Sequence, residues 1–408
     1  MHPAHTDRNL RLLFVYWFLR DFQLWIPVWI VFLTIDRGFS LTQVTAAEGL
    51  FLVGVLLLEV PTGAIADRYG RSRSMALGAL ALGVAVLVFA FTNSFSILLA
   101  SFLTWSVASA LMSGADMALL FDTLKAAGRE HEYERLAGRG LALQWGGVGV
   151  ATFLGGPVAA LLDARATIFI GAATCLLTAA VAISIWEPPH AKQQGEQPAY
   201  WRSIPAAFGE AWGAVDVRII IALAGTAFAA LEAVHYLVQP YLVDRDVEVG
   251  VWFSLLQVPM LLAGLGGSLV AGRVTARTGA ARACLFGPLL GAACYAGLSL
   301  APGLAAYAAL PLLMVVSSCV EPIATGYINR RVGSERRATV LSIASMFRSL
   351  VLAALAPSLG FATDRWGLAE AFAIGGAVAL VSALAFGLPL LFRARAAPPA
   401  EREPAATG

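Results

Sequence analysis

The sequence predicts an all-α membrane protein, with twelve transmembrane helices in two pseudo-symmetric six-helix bundles. Three observations lead there. First, the 408 residues are 59% hydrophobic and only 13% charged, where a soluble domain carries about 25% charged residues. So few charges cannot coat a water-facing surface, and the mean hydropathy of +0.74 agrees. Second, the apolar stretches are long and unbroken. That favours helices over a closed barrel, the other structure that satisfies its own backbone in hydrocarbon. Third, basic residues alternate between successive connections.

A helical span needs about 20 apolar residues. Twelve segments qualify, at 10–35, 43–66, 74–92, 95–124, 139–162, 165–186, 217–243, 250–274, 281–300, 303–329, 338–362 and 368–392. Spans one, four and ten are long enough to tilt or project beyond the bilayer. The polar stretch Met1 to Arg11 is short. The apolar run after it exceeds a signal-peptide core and lacks a small-residue cleavage site, so it reads as a retained first span.

With the N-terminus inside, the inner segments hold 22 of the 28 Lys and Arg. The outer loops hold four, Arg37, Arg165, Arg245 and Arg365, and Arg20 and Arg348 fall within spans. By the positive-inside rule both termini are expected in the cytoplasm. The longest break, Glu187 to Asp216, has a Pro/Gln/Gly linker composition. It divides an N-terminal bundle (1–186) from a C-terminal one (217–395), with 187–216 as a cytoplasmic linker. Within it, Trp201 to Trp212 is expected as a short amphipathic helix on the cytoplasmic face. The Pro/Ala/Glu-rich tail, 396–408, is expected to be disordered.

The net charge of +2 and the absence of a basic, aromatic-laced cluster give no sign of a nucleic-acid partner. Cys175, Cys284, Cys294 and Cys319 all lie in apolar stretches and form no CxxC pair. They read as small apolar side chains inside helices.

Between spans two and three lies Gly63-Ala64-Ile65-Ala66-Asp67-Arg68-Tyr69-Gly70-Arg71-Ser72-Arg73. Between spans eight and nine, 209 residues on, lies Gly272-Arg273-Val274-Thr275-Ala276-Arg277-Thr278-Gly279-Ala280-Ala281-Arg282. Gly, Arg, Gly and Arg recur at matching places, as parallel repeats require. Gly63 is expected to let two helices approach closely, and Gly70 to permit a tight turn. Asp67 can accept hydrogen bonds at a helix N-terminus or pair with an Arg.

The first loop closely resembles the signature cytoplasmic loop of the major facilitator superfamily, G-x-x-x-D-R-x-G-R-x-R. Twelve spans, the 6+6 division and the repeated loop extend the resemblance over nearly the whole chain. It implies a transporter without cofactor, monomeric in the cell (inner) membrane, whose two halves rock around a central cavity. It also implies a gating loop of Gly63, Asp67, Arg68, Gly70 and Arg71, in which Asp67, Arg68 and Arg71 latch the halves in the outward-open state. Ala276 stands where the second copy would carry the Asp, so its latch should be weaker. Glu59-Val60-Pro61-Thr62-Gly63 and the stretch Ser113 to Lys125 look like a bacterial branch of the superfamily assigned only generically as transporters.

An ionisable group in hydrocarbon costs about 2.5–3.5 kcal/mol on insertion scales, so each one is a functional candidate. Arg20 and Asp21 are adjacent in span one and point about 100° apart. One arrangement turns Asp21 to the cavity and pairs Arg20 with an acid on another helix; mutual or interhelical neutralisation is the structural alternative. Glu232 and His235 share a face of span seven and could handle protons, or could be an interhelical hydrogen-bond pair. Asp116, in the middle of span four, is expected in the cavity. Asp122, nearer the cytoplasm, is expected in a salt bridge, with Lys125 as its i,i+3 neighbour. Glu321, roughly matching Asp116 in the second half, precedes Pro322 in span ten. Arg348 is a counter-ion for Glu321 or an anchor for an anionic substrate. Span one is also aromatic; packing is the plainer role, while Tyr16, Phe22 and Trp25 are candidate solute contacts.

Exporters of the proton-antiport kind carry a span-five motif, G-x-x-x-G-P-x-x-G-G. Thr152 to Leu161 matches it in part, with Gly156 and Pro157 agreeing and Thr152, Ala160 and Leu161 departing. Gly146, Gly147 and Gly149 add small-residue packing nearby. The arginine common in span four of proton antiporters is absent from Trp105 to Gly114. The expected function is secondary active transport of a small solute, read as proton-coupled efflux of a drug, siderophore or metabolite by an antiporter. Uptake of an organic anion and transport of a divalent metal stay open, although no metal site is assigned. No HExxH, P-loop or nucleophile elbow points to an enzyme.

Overall fold

The computed structural model describes residues 3–188, 215–301, 303–334 and 336–396, and helices dominate it. The linker from 189 to 214, with its expected amphipathic helix, and the tail from 397 lie outside the described residues. Two compact units emerge. One comprises Met1–Gln194 with Asp246–Val258, and the other Gly195–Arg245 with Pro259–Gly408. The entry to span eight thus belongs with the first unit although it follows span seven in sequence.

The first unit contains α1 (Pro3–Asp21), α2 (Trp29–Val31), α3 (Leu41–Tyr69), α4 (Arg71–Phe91), α5 (Phe95–Met112), α6 (Ala115–Lys125), α7 (Tyr133–Leu161) and α8 (Ala164–Ile183). The second contains α9 (Val215–Glu232) and α10 (His235–Asp244). Next, α11 (Val251–Leu255) lies in the first unit. The second unit resumes with α12 (Val258–Thr278), α13 (Ala280–Leu300), α14 (Ala309–Asn329), α15 (Arg337–Arg365), α16 (Leu368–Ser382) and α17 (Leu388–Ala396). In the first unit α4 packs on α5 and α8, and α1 on α7. In the second α13 packs on α14 and α16, and α9 on α15.

Eleven helical segments among the described residues are long and apolar enough to cross a membrane. They correspond to spans two to twelve. Leu57, Leu161, Leu269 and Leu300 are 65–83% exposed, a surface that only lipid solvates cheaply. Span one differs from the unbroken helix expected over 10–35. Its helix ends at Asp21, the chain leaves helical geometry through residues 22–28, and a short helix and a π-helical turn, Phe32–Asp36, follow. Pro27 offers no amide proton there. The Gln23 side chain donates to the Arg20 carbonyl at 3.2 Å, holding the broken end. Spans four, seven and eight are also interrupted, at Ser113–Gly114, Ala233–Val234 and Leu256–Gln257.

A row of glycines on α7 accommodates the irregular span one. Gly140, Gly147 and Gly155 lie two turns apart and share a face. A Cβ at Gly140 would overlap the Trp17 ring, one at Gly147 the Phe18 carbonyl, and one at Gly155 the Leu24 carbonyl and Pro27. Gly146 faces open space. The helix ends are tied by side chains. Ser40 and Gln43 form a capping box on α3, and Asp163 caps α8 at 2.6 Å. Arg37 donates to the carbonyls of Phe91 and Thr92 at 2.6 and 3.1 Å, placing a cation at the C-terminus of α4. In the same outer region burial pushes the Asp36 carboxyl up, with Arg165 opposing. The four cysteines are free and buried, as the sequence implies.

Candidate functional site

In the first unit the buried polar chemistry gathers where two broken spans face each other. Gly114, at φ +70°, interrupts span four and starts α6. Asp116 therefore occupies the first turn of a helix, where a carboxylate is favoured, and its Oδ1 accepts from the Met117 amide at 2.8 Å. Its Oδ2 accepts from Trp17 Nε1 at 2.8 Å and from Arg20 Nη1 at 3.1 Å. Only 2% of Asp116 is exposed. The residue expected to face a cavity is thus fully engaged, and it is the acid on another helix that Arg20 meets. Asp21 is 3.8 Å from Arg20 Nε and half-buried. One guanidinium here serves two carboxylates.

The aromatic candidates divide. Tyr16 and Trp25 are buried in the unit, and Phe22 is half-buried and stacked on Phe18 at 5.6 Å. Trp25 donates to Gln23 Oε1 at 3.0 Å and stands edge-on to Trp105 and Phe89. A cleft beside Arg20, lined by Gln23, Met112, Cys175 and Thr178 among others, has no room for a water-sized group, so it is a packing gap.

In the second unit Arg348 Nη1 meets Glu321 Oε1 at 2.7 Å, and the guanidinium carbon lies 4.9 Å from the Phe228 ring centre. The sequence left Arg348 open as counter-ion or anion anchor; it is paired. Glu321 is half exposed. Glu232 is half-buried, and the charged groups acting on it are Arg348 and Glu321. It ends α9, while the exposed His235 starts α10 beyond a tight turn in which Tyr236 and Leu237 bond back to Ala233 and Val234. The continuous helical face drawn from the sequence is broken between them, and the electrostatic partners of Glu232 come from other helices.

The signature loop is a helix–turn–helix. Gly70 joins α3 to α4 at φ +108°, and Gly279 joins α12 to α13 at φ +79°. This backbone region favours glycine, so the repeat seen in the letters is also a repeat of conformation. Arg71 pairs with Asp122 and lies 3.7 Å from Asp67. Asp122 thereby finds its partner in this loop, where the sequence offered Lys125. The Arg71 backbone N–H donates to Glu187 Oε1 at 2.6 Å. Glu187, at the end of span six, thus caps α4, a role sequence spacing did not reveal. Arg68 lies over the Tyr69 ring at 5.5 Å. Gly63 makes no close approach: a Cβ there would meet nothing within 4 Å. The tight contact comes one residue earlier, where Thr62 Oγ1 donates to the Ala110 carbonyl at 3.0 Å. On span five, the Gly156 amide donates to Ser254 Oγ at 2.8 Å, which joins α11 to α7 within the first unit. Gln257 Nε2 donates to the Pro27 carbonyl at 3.0 Å. Among the described residues no three His, Cys, Asp or Glu converge as a metal site.

The chain covers solved structures almost end to end. It matches a variant of the nucleoside transporter NupG with a TM-score of 0.82 at 15% identity, over 95% of this chain and 99% of that one. A bacterial homologue of the human lysosomal transporter Spinster matches at 0.70 and 17% identity, over 96% of each chain. A D-xylose–proton symporter matches at 0.70 and 14% identity, over 93% and 96%. At such identities the likeness establishes the fold. In sequence, an uncharacterised MFS-type transporter, YxaM of Bacillus subtilis (strain 168), is 29% identical over 89 residues, spanning 22% of either chain. The family model of the Major Facilitator Superfamily matches residues 12–357. The chain is a multi-pass membrane transporter, not an enzyme, and it belongs to the major facilitator superfamily.

Proposed function

We propose that the protein is a proton-coupled secondary transporter that exports a small organic molecule across the cytoplasmic membrane by alternating access, with both termini in the cytoplasm. The observation that carries this reading is a carboxylate pair sharing one arginine inside the spans of each unit. These are Asp21 and Asp116 about Arg20, and Glu321 paired with Arg348, whose charge also acts on Glu232. In each trio one acid takes the close ion pair. The other, Asp21 or Glu232, is left to gain and lose a proton within a low-dielectric span. Export is supported by the glycine–proline stretch of span five, whose Gly156 seats α11 without a side chain between them. The two arginines are engaged by carboxylates, which disfavours organic-anion uptake, and the donor sets disfavour a divalent metal.

The test is flux in proteoliposomes under an imposed pH gradient, against a broad solute panel. Gradient-driven flux that falls at least tenfold in Asp21→Asn or Glu232→Gln is the expected result. Flux indifferent to the gradient, or unchanged in both variants, would overturn proton coupling.

A further inference from the structure

We infer that the second copy of the repeated loop, between α12 and α13, binds the headgroup of an anionic phospholipid through Arg273, Arg277 and Arg282. In the first copy Arg71 meets Asp122 and Asp67. At the matching places of the second copy stand Ala280 for Arg71 and Ala276 for Asp67. Both members of that pair are gone, while Arg277 and Arg282 are kept. Arg273, Arg277 and Arg282 are exposed, and among the described residues they make no hydrogen bond or ion pair.

The imbalance extends over this whole end of the unit. Val217 on α9, Ala271 on α12, Ala280 on α13, Tyr327 on α14, Val340 on α15 and Leu391 on α17 share one apolar cluster, which brings six helix ends together. The segments that end there, 215–218, 272–282, 330–337 and 393–396, hold ten arginines against Asp216 and Glu335. The corresponding segments of the first unit, 3–11, 66–73, 122–139 and 184–187, hold nine Lys and Arg against seven acids. Orientation in the membrane depends on the basic residues themselves, so it leaves the missing carboxylates of the second unit unexplained. Part of the charge is taken up internally: Arg393 pairs with Asp216, and Arg331 lies 3.6 Å from the Tyr327 ring centre. The three loop arginines have no such partner.

The same loop presents apolar surface where acyl chains would lie. Leu269 is 78% exposed and Phe286 56%. Leu269 stands one turn before Arg273 on α12, and Phe286 one turn after Arg282 on α13, each on the membrane side of its arginine. Gly279, at φ +79°, reverses the chain between the two helices. A guanidinium offers a phosphate two parallel N–H donors, and an arginine near an anionic leaflet gains from its negative potential. A soluble phosphate would use the arginines alone. A phospholipid uses the arginines and the apolar strip beside them. On the orientation proposed above, this end meets the cytoplasmic leaflet.

Native mass spectrometry of the purified full-length protein in neutral detergent would count bound ligand during titration with dioleoylphosphatidylglycerol, dioleoylphosphatidylcholine or glycerol 3-phosphate. Saturable binding of the phosphatidylglycerol is expected, at least tenfold tighter than that of the other two. The combined change Arg273→Gln, Arg277→Gln and Arg282→Gln should weaken it at least tenfold at an unchanged melting temperature. Arg11→Gln, Arg73→Gln and Arg139→Gln, at exposed positions of the first unit, remove the same charge and should weaken it less than twofold. If the triple loop variant does not fold, the single changes Arg277→Gln and Arg282→Gln carry the test, each weakening binding at least threefold. Leu269→Ser with Phe286→Ser should also weaken phospholipid binding at least threefold. Equal binding of the two phospholipids, unchanged affinity in the folded loop variants, or an equal loss in the first-unit variant would overturn the inference. Glycerol 3-phosphate bound as tightly as phosphatidylglycerol would overturn it too, making the ligand a soluble phosphate.

Discussion

Arg20 and Asp116 lie 96 residues apart in the sequence and 3.1 Å apart in the structure. The bond joins the last turn of α1 to the first turn of α6, so each partner stands at a helix end made by a break in its span. The Trp17 indole closes the other side of the same carboxylate oxygen.

Removing one member of that pair strands the other. Asp116→Asn should cost about 3 kcal/mol, because Arg20 keeps its charge and loses its closest counter-ion. The double change Arg20→Met with Asp116→Leu should regain most of that stability. Thermal unfolding of the two proteins in the same detergent checks the order. A neutral Asp116→Asn would show that the bond does not hold the unit together.

The glycine row on α7 separates space from composition. Gly147→Val should destabilise the first unit by about 2 kcal/mol, since the new side chain would press on the Phe18 carbonyl and the span-one backbone. Gly146→Ala, one residue away and facing open space, should be neutral or slightly stabilising through helix propensity. Equal melting temperatures for the two variants would rule out the packing seen here.

Arg71 and Asp122 should matter more to movement than to folding. Their side chains are partly exposed, and such a pair contributes at most about 1 kcal/mol. Arg71→Ala and Asp122→Asn are therefore expected to melt close to the parent protein while losing most solute flux in vesicles. Loss of flux matched by a large fall in melting temperature would make the pair structural.

Glu187→Ala should cost about 1 kcal/mol by uncapping α4, and Glu187→Gln less, because the amide oxygen still accepts from Arg71 N–H. Gly70→Ala should be worse than either. It combines a positive φ with overlap on the Glu187 carboxylate. Melting curves of the three variants give the ranking.

Much of this protein is legible from the sequence by itself. Composition demanded lipid as solvent, and hydropathy located the spans, because every span must bury a backbone that water cannot satisfy. The loops around Gly70 and Gly279 were readable as a repeat, because a left-handed turn between helices favours one residue type. Only the tertiary structure decided which charges meet. Sequence spacing sees neighbours within a helix. It therefore offered Lys125 to Asp122 and His235 to Glu232, whereas Arg71, Arg348 and Glu321 arrive from other helices. The breaks in spans one, four, seven and eight were likewise invisible, being stabilised by distant groups such as the α7 glycines and by side chains such as Gln23. Hydrophobicity places a helix in the membrane without regard to partner; an ion pair needs the packed bundle to choose one.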